Sequence, residues 1–280
     1  MENDFVQQGW IHLPEALDLT PGSRLRAVFD WTIRQSGLET EKGLDCPPGL
    51  TSLPPTRVAD MANVAPRLWD AVCRILGGAD RIRRPARIGN ALICNYRTTT
   101  LPADWHVDGD FFVHHPDSPE QALLIFILWT DVLPGDGATE IAPGATAGIL
   151  RYLAEHPNGC SSGQIPTAAF VAGTQERISL TGRAGDAWIL HPLTAHRSTP
   201  NPRGEARFIS NPAIALNTPL RLAAECTGSP LEEHTKRLLG GTGYTSPRIG
   251  KRRRFTPDRI ARWSGQGTYT VEDSYQSTRL

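Results

Sequence analysis

The sequence predicts a mainly β fold, a jelly-roll barrel of the cupin kind with flanking helices. Three observations carry this. From about residue 87 short apolar runs alternate with Gly, Pro and Asp turns, the texture of many short strands at regular spacing. The longest apolar run, Ala122 to Trp129, has no polar interruption and reads as a strand buried on both faces. Helical periodicity is concentrated before and after this region.

The first helical segment is expected over roughly 21–36, with Leu25, Val28, Phe29 and Trp31-Thr32-Ile33. A second is expected over 60–76, with Val64, Leu68, Val72, Ile75 and Leu76 in register and Gly77-Gly78 as the stop. Between them, 46–55 reads CPPGLTSLPP, too rich in Pro and Gly for regular structure. The strand runs then follow: RIGNALICNY, HVDGDFFVH, ALLIFILWTDV, ATEIAP, RISL, DAWILHP and ARFISNPAIAL. A short helix over 146–155 interrupts them, and another is expected over 231–239. One domain over 1–280 accounts for this order: a helical part to 86, a β-core over 87–218, and a loop-rich tail or lid over 219–280.

Bulk properties exclude several partners. Lys+Arg and Asp+Glu are both 29, so no net charge draws the chain to nucleic acid or an anionic membrane. The basic run at 251–254 is expected to be a solvated loop. The apolar run at 122–129 is far short of the roughly twenty residues that cross a bilayer. The N-terminal MENDFVQQGW is acidic and polar, unlike a signal peptide. Five scattered cysteines without a Cys-x-x-Cys pair match neither a disulfide framework nor a zinc site, so a reducing, cytoplasmic setting is expected. A small molecule is the expected partner, with the protein a monomer or homodimer.

The chemistry concentrates in two stretches. In Trp105-His106-Val107-Asp108-Gly109-Asp110, His106 and Asp108 are two residues apart and share a strand face. Alone the pair is weak, because His-x-Asp arises easily by chance and a surface turn would explain it. Downstream, a Gly185-Asp186 turn launches an apolar strand that ends near His191 and His196. Arg207 then opens an apolar run, where a guanidinium is costly to bury without an anion. Two histidines and a carboxylate make the facial triad of non-haem iron(II) oxygenases, which leaves three positions open. An oxo acid can chelate two of these and dioxygen take the third.

The pattern WHVDGD, GDAWILHPLTAH and the following arginine resembles the phytanoyl-CoA dioxygenase family of 2-oxoglutarate oxygenases over roughly 88–216. DVLPGDGATEIAPG at 131–144 is similar to that family's turn between core strands. The resemblance implies a double-stranded β-helix; Fe(II), 2-oxoglutarate and O2 as cofactors; His106, Asp108 and His196 as ligands; and Arg207 as the clamp on the far carboxylate. His191 stands too far from Arg207 to match the family's spacing and is expected to pack beside the strand end. Many relatives place a hydroxyl two residues after the arginine. Here that position is Ile209, and Ser210 is expected to face the other way, so Thr139 and Asn95 are the candidates for the missing contact. Asp108 is present where halogenating relatives carry a small residue, which favours oxygenation.

Asp110 and Phe112 continue the parity of the ligand pair and are candidates for the substrate pocket, against a structural carboxylate and a core aromatic. Arg97 is a third substrate candidate or a strand-end residue. Either His114 or His115 could line the substrate pocket, but a turn leading into Pro116 is the expected reading.

Overall fold

The computed structural model describes residues 1–41, 43–53, 59–88, 92–100, 104–241 and 243–245, with the backbone of 253–254 and 272–273. Of the basic run, Lys251 and Arg252 lie outside these residues; the backbone of 253–254 pairs with 272–273.

The centre of the fold is the apolar run predicted to be a buried strand. Leu123–Leu128 (β4) is buried at every residue. Its period-two geometry sends Leu124, Phe126 and Leu128 to one face and Leu123, Ile125 and Ile127 to the other. Around it lie β1 (Trp10–Leu13), β2 (Gly49–Leu53), β3 (Leu92–Tyr96), β7 (Ala187–Leu190) and β9 (Arg207–Ser210). These form an antiparallel sheet in the order β1-β7-β4-β9-β3-β2, and β10 (Ala213–Ile214) also pairs with β4. A smaller sheet holds β6 (Ile178–Ser179), β5 (Thr139–Ala142) and β8 (Ala195–Ser198) in that order. From β4 onward the chain crosses repeatedly between the two sheets, as a jelly roll requires. Leu124, Phe126, Leu128, Ile141, Trp188, Leu190 and Ile209 fill the space between them. The predicted jelly roll is therefore present, but its two sheets are not closed into one continuous barrel.

The opposite face of the large sheet is covered by helices. In α2 (Arg24–Gln35), capped by Ser23, the buried side chains Leu25, Phe29, Thr32 and Ile33 form one stripe. Phe29 stacks on Trp129 with centroids 5.7 Å apart and meets Phe208 edge-on. The expected helix over 60–76 is divided. One turn, Met61–Val64, ends at Ala65, and α3 (Pro66–Leu76) begins anew. Proline at 66 drives its predecessor out of the helical region, and Ala65 sits at φ −139°, ψ 65°. Helix α4 (Thr146–Ala154) lies where expected.

Two further segments differ from expectation. CPPGLTSLPP contains β2, paired with β3 from Gly49↔Tyr96 to Leu53↔Leu92. The prolines flank the five strand residues and never enter them, so the ladder is unbroken, and as an edge strand β2 leaves Leu50 exposed. The N-terminus, given no element in the sequence reading, forms α1 (Glu2–Gln8) and then β1 on the edge of the large sheet. Gly9 ends α1 at φ 76°, and a Cβ there would lie 2.3 Å from the His234 ring.

That histidine belongs to α5 (Pro230–Leu238), the helix expected over 231–239. His234 Nδ1 donates to Val6 O at 2.8 Å, so this part of the tail is packed on α1. Its N-terminus carries a capping box of Ser229 and Glu232. Glu232 has no exposed surface, yet its carboxylate is fully engaged: Arg81 donates through Nη1 at 3.0 Å and Nη2 at 2.5 Å, and the backbone N–H groups of Arg221 and Ser229 each donate at 2.7 Å. No described helix is long and apolar enough to cross a membrane.

Glu232→Ala leaves Arg81 without its buried partner, and a loss of about 3–5 kcal/mol is expected in urea unfolding. Burial raises the Glu232 pKa, but the Arg81 bonds and the two backbone donors outweigh it and hold it at about 2. The folded pKa is depressed, so this stabilisation is present above the ordinary carboxyl range and fades as pH falls from about 4.5 to about 2. Acid titration of parent and Glu232→Ala should converge over that window.

Candidate metal and co-substrate site

Three side chains from two distant stretches meet at the edge of the small sheet. His106 and His196 exchange both backbone hydrogen bonds, each N–H reaching the other carbonyl at 3.0 Å. The segment expected to be a strand at 106 is thus a single bridge pair that extends the sheet beyond β8. The pairing brings the two imidazoles together, with centroids 4.3 Å apart. Asp108 completes the group: its Oδ1 lies 3.5 Å from His196 Nε2 and 3.8 Å from His106 Nε2.

These atoms fit a metal ion. The three ligand atoms all lie within 4.8 Å of one another. Cis ligands about 2.1 Å from a metal stand roughly 3 Å apart, close to what is seen. Both Nδ1 atoms are committed elsewhere, His106 to Asp104 O at 2.8 Å and His196 to Thr194 O at 3.0 Å. Each bond places the proton on Nδ1 and presents the Nε2 lone pair to the centre. Burial opposes the Asp108 charge, but His196, His106 and the Asn211 amide outweigh it, so the carboxyl stays below its ordinary range. Burial likewise opposes charging of His196, and Asp108 overcomes it, raising the imidazole pKa.

The turn after Asp108 is braced from behind. Gly109 adopts φ +100°, and a Cβ there would strike Phe112 at 2.6 Å and His114 at 2.7 Å. His114 Nε2 pairs with Gly109 O at 2.9 Å, and its ring packs on Phe112 at 4.2 Å. Burial holds the His114 pKa at about 4, so the ring is neutral and donates. Of the expected turn, His115 forms the first residue, its carbonyl accepting the Ser118 N–H at 3.2 Å across Pro116, whereas His114 is bridged to Cys160 by backbone bonds of 2.8 and 3.1 Å; both side chains are buried. Phe112, 1% exposed, sits in this brace, while Asp110 is exposed beside the ligands. On the outer side Trp105 is covered by two guanidiniums, Arg197 at 4.4 Å and Arg177 at 5.2 Å, and Arg197 is paired with Glu140 at 2.8 Å.

Arg207 lies on β9 with its side chain on the same parity as Ile209, facing the space between the sheets. It is 1% exposed, and none of its three guanidinium nitrogens has a protein hydrogen-bond partner. Burial lowers its pKa to about 10, which still leaves it charged at neutral pH. A lone buried guanidinium costs several kcal/mol unless an anion meets it, and a carboxylate matches its planar fork. Ser210 faces the other way, as expected, and its Oγ accepts from Trp129 Nε1 at 2.9 Å.

The other predicted residues are placed as follows. Asn95 stands opposite Arg207 in the strand register, but its amide donates to Gly137 O and Thr199 O and accepts from Thr98 Oγ1. Both amide hydrogens thus tie β3 to the neighbouring loops. Thr139 is buried on the inner parity with Ile141. Arg97 is an exposed strand-end residue at φ 47°, stacked over Tyr96 at 4.7 Å. His191 lies apart from the triad: it pairs with Thr235 Oγ1 at 3.2 Å and accepts the Leu193 N–H at 3.1 Å. The sequence reading missed Asn211, whose Nδ2 donates to Asp108 Oδ2 at 2.7 Å. Its signal was parity: residues 207, 209 and 211 share one strand face.

A three-ligand metal group and a cation lacking its anion, set in a jelly-roll interior, make up the arrangement of iron- and 2-oxoglutarate-dependent proteins. The family model for phytanoyl-CoA dioxygenase matches residues 38–208, and the chain belongs to that family, with Fe(II), 2-oxoglutarate and O2 as its cofactors. No curated protein matches the chain. Among solved structures, similar folds include the non-heme alpha ketoglutarate dependent carbocyclase SnoK from nogalamycin biosynthesis, 18% identical with a TM-score of 0.46, covering 82% of this chain and 85% of that one. The epimerase SnoN in complex with Fe3+, alpha ketoglutarate and nogalamycin RO is 17% identical with a TM-score of 0.45, covering 92% and 95%. HygX from Streptomyces hygroscopicus with nickel and 2-oxoglutarate bound is 16% identical with a TM-score of 0.43, covering 77% and 85%.

The two distal histidines separate by mutation. His196→Ala is expected to abolish cobalt(II) uptake by the purified protein. His191→Ala is expected to keep it and to lose about 1–3 kcal/mol of stability, because Thr235 and Leu193 are left without their partner. Calorimetric titration and urea melts read the two effects.

Proposed function

We propose that the protein is an Fe(II)- and 2-oxoglutarate-dependent dioxygenase that oxidises a C–H bond of a small organic molecule, a secondary metabolite or amino-acid derivative. The observation that carries this is Arg207, a buried guanidinium with no protein partner, on the face of β9 turned toward the small sheet at whose edge His106, Asp108 and His196 meet. When bound, iron with 2-oxoglutarate and dioxygen supplies the oxidising power for an unactivated C–H bond.

In this reading the chain supplies geometry. His106, Asp108 and His196 hold the metal through two Nε2 atoms and one carboxylate oxygen. Arg207 binds the far carboxylate of 2-oxoglutarate and sets its orientation, with Thr139, buried on the inner parity of β5, as the candidate hydroxyl. Asn95 supports Arg207 through the strand pairing and the loops it ties down. Asp110, exposed beside the ligands, lines the substrate side, with Arg97 at the rim and Phe112 bracing the turn. The two apolar sheet faces keep bulk water from the reacting centre. The substrate held there decides between hydroxylation, desaturation and ring formation.

The charge pattern favours a small substrate over a coenzyme A ester. No Lys or Arg occurs between Arg97 and Arg151, so the loops next to the ligand pair offer nothing to a polyphosphate. The five cysteines are free thiols, in keeping with a cytoplasmic enzyme. A non-catalytic metal barrel is the weaker reading: a structural zinc site is closed by four protein ligands, and the described group offers three.

Anaerobic mixing of protein, Fe(II) and 2-oxoglutarate should give a visible charge-transfer band, and in air 2-oxoglutarate decay should track oxygen uptake. Asp108→Ala is expected to lose both. Arg207→Ala is expected to keep the metal and bind 2-oxoglutarate on the order of 100-fold more weakly. Wild-type turnover in Asp108→Ala would sink the assignment.

A further inference from the structure

The carboxylate of Asp108 is held from two sides. Oδ1 faces the two Nε2 atoms, while Oδ2 is taken by the Asn211 amide at 2.7 Å. Asn211 is not an incidental neighbour. It follows the last residue of β9 and precedes Pro212, and the strand register continues unchanged across it: Ser210 pairs with Ile127 and Ala213 with Leu124. Position 211 therefore falls opposite Phe126, on the inner parity of Arg207 and Ile209. Phe126 in turn packs edge-on against His196 at 5.2 Å. Pro212 has no N–H to give to the ladder, and the backbone at this point is free of strand hydrogen bonds without losing register. One strand thus presents a guanidinium for an anion at one end and an amide for the ligand carboxylate at the other.

We propose that Asn211 is a positioning residue that keeps Asp108 a one-oxygen ligand. The inference rests on the metal reading above and adds a constraint to it. With two imidazoles and one carboxylate oxygen, an octahedral ion keeps three positions for a chelating oxo acid and dioxygen. A carboxylate free to turn and bind through both oxygens would fill one of them. The Nδ2–H to Oδ2 bond opposes that turn, and by fixing the carboxylate plane it also favours metal capture over a loose side chain.

The test uses the full-length protein and cobalt(II) as the probe. Asn211→Leu keeps the branched side-chain shape and removes the donor; Asn211→Ala removes both. Both variants are expected to bind cobalt(II) about 10- to 100-fold more weakly by calorimetry. Both should also show a changed visible d–d spectrum, while the metal-free Asn211→Leu protein melts within a few degrees of the parent. Parent-like cobalt affinity and spectrum in Asn211→Leu would overturn the inference, as would a loss confined to Asn211→Ala that follows its melting temperature. The controls separate the two levels. If the parent takes up no cobalt, or Asp108→Ala takes it up as tightly, the metal site itself fails and this role fails with it. If the parent binds through Asp108 and Asn211→Leu is indistinguishable from it, only the role of Asn211 is lost.

Discussion

The paired backbone bonds between His106 and His196 are the constraint on which the site depends. They join two segments ninety residues apart in the chain. They place the two rings side by side and leave Asp108 to close the group from the following turn. An imidazole pair held by side-chain packing alone would have rotamer freedom. Here the backbone register sets the separation, and the Nδ1 bonds to Asp104 O and Thr194 O set the ring planes. Every further feature of the site is referred to this bridge.

Around it the charges are arranged so that each is either satisfied or aimed at a missing partner. Asp108 is met by two imidazoles and an amide. Arg197 is met by Glu140 and the Trp105 ring. Glu232, far from the site, is buried against Arg81 and two backbone donors, and there it locks α5 in place. Arg207 alone among these is buried with its guanidinium unmatched. The contrast between Glu232 and Arg207 is instructive, because the protein demonstrably completes a buried charge where the charge is structural. Under the proposed reading, the far carboxylate of 2-oxoglutarate completes this cation.

The rigid parts and the open part also divide by sheet face. The large sheet is sealed on its helical side by α2, α3 and the aromatic contacts of Phe29. Its inner face carries Arg207, Ile209 and Asn211 in sequence along one strand, across from the small sheet that bears His196. The distance from Arg207 to Asn211, the residue that follows β9 in unbroken register, is thereby a property of strand geometry, about 3.3 Å per residue.

Much of this was legible in the chain before any coordinates. The jelly-roll class followed from short apolar runs between turn residues, the buried central strand from an uninterrupted apolar octet, and the ligand candidates from His-x-Asp with a later histidine and arginine. These are local patterns, or spacings that a family resemblance could interpret. What the tertiary structure decided were the long-range pairings. Gly49–Leu53, inside CPPGLTSLPP, became a strand because β3 offered an edge. The N-terminus became α1 and β1 because α5 and β7 were there to receive them. His191 fell away from the site because Thr235 claimed it. Asn95 was drawn into backbone bonds, and Asn211 was delivered to Asp108. Propensity and periodicity act over neighbouring residues, whereas these outcomes depend on which distant group arrives to satisfy a hydrogen bond, and only the folded chain brings that group within reach.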